Sequence, residues 1–122
     1  MSKKILVVDD SATVVMSVRN NLEIAGYAVE SASNGQEALN KLKANYKPDL
    51  IITDINMPIM TGLEFLEQAR KLPSCRFIPI LIMTTESNTE RKTDAKKFGA
   101  TGYLVKPCGG TDLLNVIKKL LP

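Results

Sequence analysis

Asp9, Asp10, Asp54, Thr84 and Lys106 are the residues of this 122-residue chain whose types could do chemistry together, because each stands where an apolar run stops. "KILVVDD" closes on an acid pair, "LIITD" on Asp54, "ILIMT" on Thr84 and "GYLVK" on Lys106. A buried strand has reason to exclude charge, so polar residues at four strand ends point to a shared site rather than a core. Carboxylates gathered within a few ångströms raise one another's proton affinity unless a cation keeps them ionised. Lys106 supplies a single positive charge. Oxygen-only ligands favour a hard divalent ion, and Mg²⁺ suits a site with few protein ligands and several waters. The alternative, an ion-pair cluster of Lys106 and the acids with no metal, leaves negative charge unbalanced. A site of this kind suits phosphoryl transfer, with Asp54 as nucleophile and Lys106 and the Thr84 hydroxyl on the phosphoryl oxygens. No GxxxxGK[ST] loop is present. The expected donor is therefore a phosphorylated protein or a small activated phosphate rather than ATP.

Composition narrows the chemistry further. The chain has no histidine, which removes Ser/His/Asp and Cys/His catalysis and HExxH zinc sites. Cys75 and Cys108 belong to no CxxC pair and read as inert thiols. The net charge is +3, but the basic residues are spread along the chain as solvated helix faces would have them. With three Tyr, three Phe and no Trp there is no stacking platform for bases, so no nucleic-acid partner is expected. Lys3 and Lys4 precede an apolar run that Asp9 and Asp10 cut short, unlike a signal peptide. A cytoplasmic protein without membrane insertion is the expectation.

The elements that must position these residues alternate in type from end to end. Strands are expected at Lys4 to Val8, Tyr27 to Ala32, Asp49 to Asp54, Phe77 to Thr84 and Thr101 to Val105. Helices fall between them and after the last. The first is capped by Ser11 and stopped by Gly26, with Val15, Val18, Leu22 and Ala25 as its apolar face. The second spans about Gly35 to Ala44, the third about Gly62 to Lys71, and the fourth is the charged "ERKTDAKKFGA" ended by Gly99. Leu113, Ile117 and Leu120 mark the fifth. Glu30 in the second strand suits a sheet edge, while Leu50, Ile51 and Ile52 in succession suit a strand covered on both faces. Pro79 is tolerable only near a strand start. The pattern predicts one α/β domain over residues 1–122, a doubly wound parallel sheet with helices on both faces, whose ligands bind beyond the strand carboxyl ends.

"VVDD", "DINMPIMTG", "MTTES" and "GYLVKP", in this order and spacing, resemble the receiver domain of bacterial two-component response regulators, and the resemblance covers the whole chain. Its single-domain chemotaxis members are the nearest in pattern. The resemblance implies the flavodoxin-like strand order 2-1-3-4-5. It implies that Asp54 is phosphorylated by a histidine kinase, and that Asp10, Asp54 and the backbone carbonyl of Asn56 ligate Mg²⁺, with Asp9 acting through water. Thr84 corresponds to the switch hydroxyl, Tyr103 to the switch aromatic and Lys106 to the active-site lysine, whose bond to Pro107 is often cis. Asn56 and Glu86 occupy the positions that tune dephosphorylation. Thr61 stands where many relatives have Asp and could cap the third helix, and Cys108 stands where Phe is usual. Met57, Met60 and Met83 read as packing.

Function follows in three versions. The leading one is a monomeric, phosphorylation-controlled binding module without an output domain, served by a chemotaxis-type kinase and signalling to an acidic or amphipathic segment such as a flagellar-switch peptide. The second passes phosphate from Asp54 to a histidine phosphotransfer protein. The third, a small Mg²⁺-dependent phosphatase, is disfavoured because Asn56 stands where a DxD motif has its second acid. A flavin carrier is disfavoured too, since no hydroxyl- and glycine-rich loop follows the first strand.

Overall fold

The chain folds around five parallel strands, β1 (Lys4–Val8), β2 (Ala28–Ala32), β3 (Leu50–Thr53), β4 (Ile80–Thr84) and β5 (Gly102–Val105), in the order β2-β1-β3-β4-β5. The computed structural model describes residues 2–85, 88–106 and 109–121. Between the strands run α1 (Ala12–Ile24), α2 (Gly35–Lys43), α3 (Gly62–Arg70) and α4 (Thr89–Lys97), and α5 (Gly110–Leu120) follows β5. The expected order and class are thus both present, with β2 at an edge. No described helix is long and apolar enough to cross a membrane.

Strand alternation splits the core in two. Leu6, Val8, Ile51 and Ile82 face α2, α3 and α4, whereas Ile5, Val7, Leu50, Ile52 and Met83 face α1 and α5. Each such side chain is worth roughly 1.5–3 kcal/mol when fully buried, which is why β1 and β3 carry no polar residue between their ends. Helix α4 is the exception in anchorage: Ala95 is its only buried residue.

Several boundaries differ from the sequence reading. β4 begins at Ile80 rather than Phe77, because Pro79 cannot donate to a ladder and a short 3₁₀ turn, Pro73–Cys75, takes up the chain before it. Tyr27 is held by the end of α1, its amide donating to Leu22, so β2 starts one residue later. Ala25 caps α1 and is exposed, so it does not belong to the buried face of that helix. Gly26 and Gly99 do end their helices, at φ +97° and +103°, where a side chain would be strained. Thr61 does cap α3: its hydroxyl accepts from the Glu64 amide while the Glu64 carboxylate accepts from the Thr61 amide. Met57 and Met83 are buried and Met60 packs on the core, as read. Cys75 is a free, buried thiol, pushed up in pKa chiefly by that burial. Glu86, Pro107 and Cys108 lie outside the described residues, and with them the expectations attached to those positions.

Candidate functional site: an acidic cluster bridged by a lysine

Parallel strands deliver their carboxyl ends to one edge, so the residues that end β1, β3, β4 and β5 converge. Asp9 and Asp10 follow β1, Asp54 follows β3, and Lys106 follows β5. The Lys106 ammonium donates to Asp9 Oδ2 at 2.7 Å and to Asp54 Oδ2 at 3.1 Å. Burial alone would lower the Lys106 pKa, but the hydrogen bonds it donates to Asp9 and then Asp54, with the attraction of both carboxylates, outweigh it and leave the group above its ordinary value.

The other carboxylate oxygens are held by backbone. Asp9 Oδ1 accepts from the Ser11 amide at 2.9 Å, and Ser11 in turn caps α1 through Val14. Asp54 Oδ1 accepts from Ile55 at 2.6 Å and from Asn56 at 3.3 Å. Asp9 and Asp54 are buried, whereas Asp10 is exposed. One oxygen from each of the acids Asp9, Asp10 and Asp54 falls within a 4.8 Å group. Opposite vertices of a Mg²⁺ octahedron lie about 4.2 Å apart, so this all-oxygen set fits the ion after a small adjustment. Exposure of Asp10 leaves room for the waters that Mg²⁺ retains.

Thr84, fully buried, ends β4, and its carbonyl accepts from the Lys106 amide at 2.7 Å. Ile82 pairs with Tyr103 and Thr84 with Val105, so the Thr84 and Tyr103 side chains leave the sheet on the same face, toward α4. Tyr103 is half-buried, and Lys92 of α4 places its ammonium 5.6 Å from the ring centroid. Asn56 is exposed at the mouth of the cluster.

Two features were not read from the sequence. A Cβ on Gly62 would lie 1.9 Å from the Asp54 carbonyl oxygen, and the Gly62 amide donates to Ile55 at 2.7 Å. Glycine is therefore what lets α3 start against the Asp54 backbone. Between them, Ile59 has φ +71° and sits in a tight γ-turn closed by Met60 N and Pro58 O at 2.7 Å. A β-branched residue is rare there. The sequence signal for the first was "TG" opening a helix next to the acid; the second has none.

A response regulator receiver domain family model matches residues 5–118. The chain belongs to that family. Chemotaxis protein CheY4 of Vibrio cholerae superposes with a TM-score of 0.94 at 43% identity, covering 98% of this chain and 99% of that one. Chemotaxis protein CheY1 of Helicobacter pylori is 42% identical over 105 residues, 85% of each chain. The alkaline phosphatase synthesis transcriptional regulatory protein PhoP of Bacillus subtilis is 38% identical over 121 residues, which is 99% of this chain but 49% of PhoP. The chain thus spans about half the length of some curated relatives it matches. Receiver domains are phosphoryl-accepting signalling modules that bind Mg²⁺ in an acidic pocket and work between histidine kinases and downstream effectors.

Proposed function

We propose that Asp54 accepts a phosphoryl group from the phosphohistidine of a sensor kinase, and that the resulting acyl phosphate controls a protein-binding surface in chemotaxis. The observation that carries this reading is the Lys106 ammonium shared between the buried Asp9 and Asp54 carboxylates at the open edge of the sheet. In the transfer an Asp54 oxygen gives an electron pair to phosphorus. The donor P–N bond breaks, its electrons leave on the imidazole nitrogen, and that nitrogen takes a proton from solvent. Asp10, Asp54 and the Asn56 carbonyl, with Asp9 through water, would hold Mg²⁺, which supplies charge neutralisation on the phosphoryl oxygens. Lys106 is already within bonding distance of Asp54, so a short swing carries its ammonium from carboxylate to phosphoryl oxygen.

Output follows from the shared face of Thr84 and Tyr103. A phosphoryl oxygen on Asp54 draws the Thr84 hydroxyl toward it by a charge-assisted hydrogen bond, and the Tyr103 ring moves into the space released. Helix α4, anchored through Ala95, offers little resistance to such a shift. Arg91, Lys92, Lys96 and Lys97 of α4, with Lys118 and Lys119 of α5, suit an acidic or amphipathic segment such as a flagellar-switch peptide. The match to CheY4 and CheY1 over most of their lengths supports the chemotaxis pathway.

The test is incubation with acetyl phosphate and Mg²⁺, followed by intact mass and peptide mapping. One phosphoryl group should map to Asp54 and vanish in EDTA or in Asp54→Asn. Label on another residue, or label that survives chelation, refutes the assignment. Peptide binding with and without beryllofluoride, in wild type, Thr84→Ala and Tyr103→Ala, then tests the output step.

A further inference from the structure

The free edge of β2 is held from both faces of the sheet. In a parallel pair, alternate residues of an outer strand turn their peptide groups toward the neighbouring strand and away from it. The Asp9 amide donates to Ala32 O and the Ala28 amide to Lys3 O, so Ala28, Glu30 and Ala32 direct their backbone bonds to β1. Val29 and Ser31 therefore point theirs outward. Both outward carbonyls are taken by cations: Arg19 Nη2 of α1 donates to Val29 O at 2.9 Å, and Lys41 Nζ of α2 donates to Ser31 O at 2.6 Å. One cation comes from each layer of helices.

Neither contact is explained by the helix that supplies it. Lys41 stands in the last turn of α2, where a cation complements the helix dipole without leaving the helix. It reaches instead ten positions back to Ser31, with the Glu30 carboxylate 3.9 Å away. Arg19 has no ion pair among the described residues, and its Nε is buried without a partner. Burying an unpaired donor is unfavourable, so this side chain is not where free solvation would leave it.

The edge that these cations cover has few other defences. β2 pairs with β1 without a bulge, carries no proline, and exposes only Ala28 and Glu30, so neither backbone nor bulk spoils it. The outward amides of Val29 and Ser31 meet no acceptor among the described residues. The pattern is its own complement. If β2 of a second copy approached antiparallel about Glu30, Val29 of one chain would face Ser31 of the other, and each such pair exchanges both amide–carbonyl bonds. Those bonds need the carbonyls that Arg19 and Lys41 occupy. The same approach sets Glu30 opposite itself, and like charges directly opposed are unfavourable.

We propose that Arg19 and Lys41 close the β2 edge, and that what they exclude is a second copy of this chain adding its own β2. Removing both cations frees the Val29 and Ser31 carbonyls and turns the edge into a self-pairing surface. This role is independent of phosphorylation at Asp54 and of Tyr103.

The experiment is size-exclusion chromatography with light scattering, from micromolar to millimolar protein, on wild type, Lys41→Met, and Arg19→Met combined with Lys41→Met. Methionine keeps the length and helix propensity of both side chains. Wild type should stay monomeric, Lys41→Met should associate weakly, and the double variant should dimerise at concentrations about tenfold lower than the single one. Hydrogen exchange should slow at the Val29 and Ser31 amides in the dimer alone. Adding Ser31→Pro removes an outward amide without touching the β1 ladder, so it should return the double variant to monomer. Folded variants that stay monomeric throughout overturn the proposal. So does association that Ser31→Pro leaves in place, or that brings no protection at Val29 and Ser31, and so does a wild type that already pairs through β2. If the double variant does not fold, Lys41→Met decides by the same measures.

Discussion

Lys106 and Arg70 are both cations drawn into the protein, one at each end of the sheet, and they are satisfied in opposite ways. Lys106 meets two carboxylates, charge against charge. Among the described residues Arg70 meets only neutral oxygens, the carbonyls of Cys75, Arg76, Ile78 and Gly99 and, at 3.5 Å, the Thr101 hydroxyl. Burial lowers the Arg70 pKa, whereas the carboxylates carry Lys106 above its ordinary value. An ammonium balanced by carboxylates can be re-partnered whenever a more highly charged anion arrives. A planar fork spread over carbonyls from two segments, 75–78 and Gly99, holds the backbone in one arrangement. One end can therefore change state while the other stays fixed.

The sharpest way to break the contrast is Arg70→Met. It strands several carbonyls at once and should cost about 2–4 kcal/mol, read as a lower urea midpoint, with Mg²⁺-dependent labelling by acetyl phosphate retained in the folded fraction. Arg70→Lys should recover only part, since an ammonium lacks the fork. Equal loss in both ends' functions would mean that the ends are not independent.

Lys106→Met should instead show a cost that depends on conditions. Without its cation the cluster of acids repels itself, and in chelator the loss should be about 3 kcal/mol. Millimolar Mg²⁺ should remove most of it, so the rise in Tm on adding Mg²⁺ should exceed that of wild type. An unchanged Mg²⁺ response would dissociate the lysine from the acids. Labelling should slow even where stability is restored.

Thr61→Ala removes a capping box at the edge of the acidic site and should cost about 1 kcal/mol in chemical denaturation. Thr61→Asp keeps the cap and should be nearly neutral. A large effect on labelling by Thr61→Asp would show that the residue touches the chemistry.

The smallest effect belongs to the amino-terminal end of the sheet. Tyr46 is pushed up to about 12, first by burial of the phenol and then by repulsion from Glu30 and Asp49. A pKa raised in the folded state gives stability that is complete below the ordinary phenol value near 10 and is lost as pH rises through about 12. Denaturant midpoints should fall more steeply from pH 10 to 12 in wild type than in Tyr46→Phe, and tyrosinate absorbance should show one late-titrating group. Identical slopes would remove Tyr46 as the source.

The two ends also differ in how far the sequence reveals them. The acid end was legible because strands announce themselves by apolar runs, and Asp9, Asp54, Thr84 and Lys106 interrupt those runs by type. Thr61 was legible because a cap acts within one turn. Arg70 was not, since its partners are carbonyls, which every residue carries, and one lies 29 positions away at Gly99. Phe77 misled for a related reason: its β-forming type extended the fourth strand, while Pro79 and the Arg70 contacts hold it outside the sheet. Gly62 was visible only as a helix start; the Asp54 carbonyl against it is a tertiary contact.

The backbone bond from Lys106 to the Thr84 carbonyl carries one more implication. It continues the β4–β5 pairing past the last ladder residues, so the reach of the lysine is gauged by strand register rather than by its own flexible stem. Tyr103 and Lys106 stand three residues apart and leave the chain on opposite faces, so a slip of one residue would turn Tyr103 away from α4 and Lys106 away from the acids. Deleting a single residue within β5 should therefore disable the acidic site and the Tyr103 position in one stroke, which no single substitution in that strand could do.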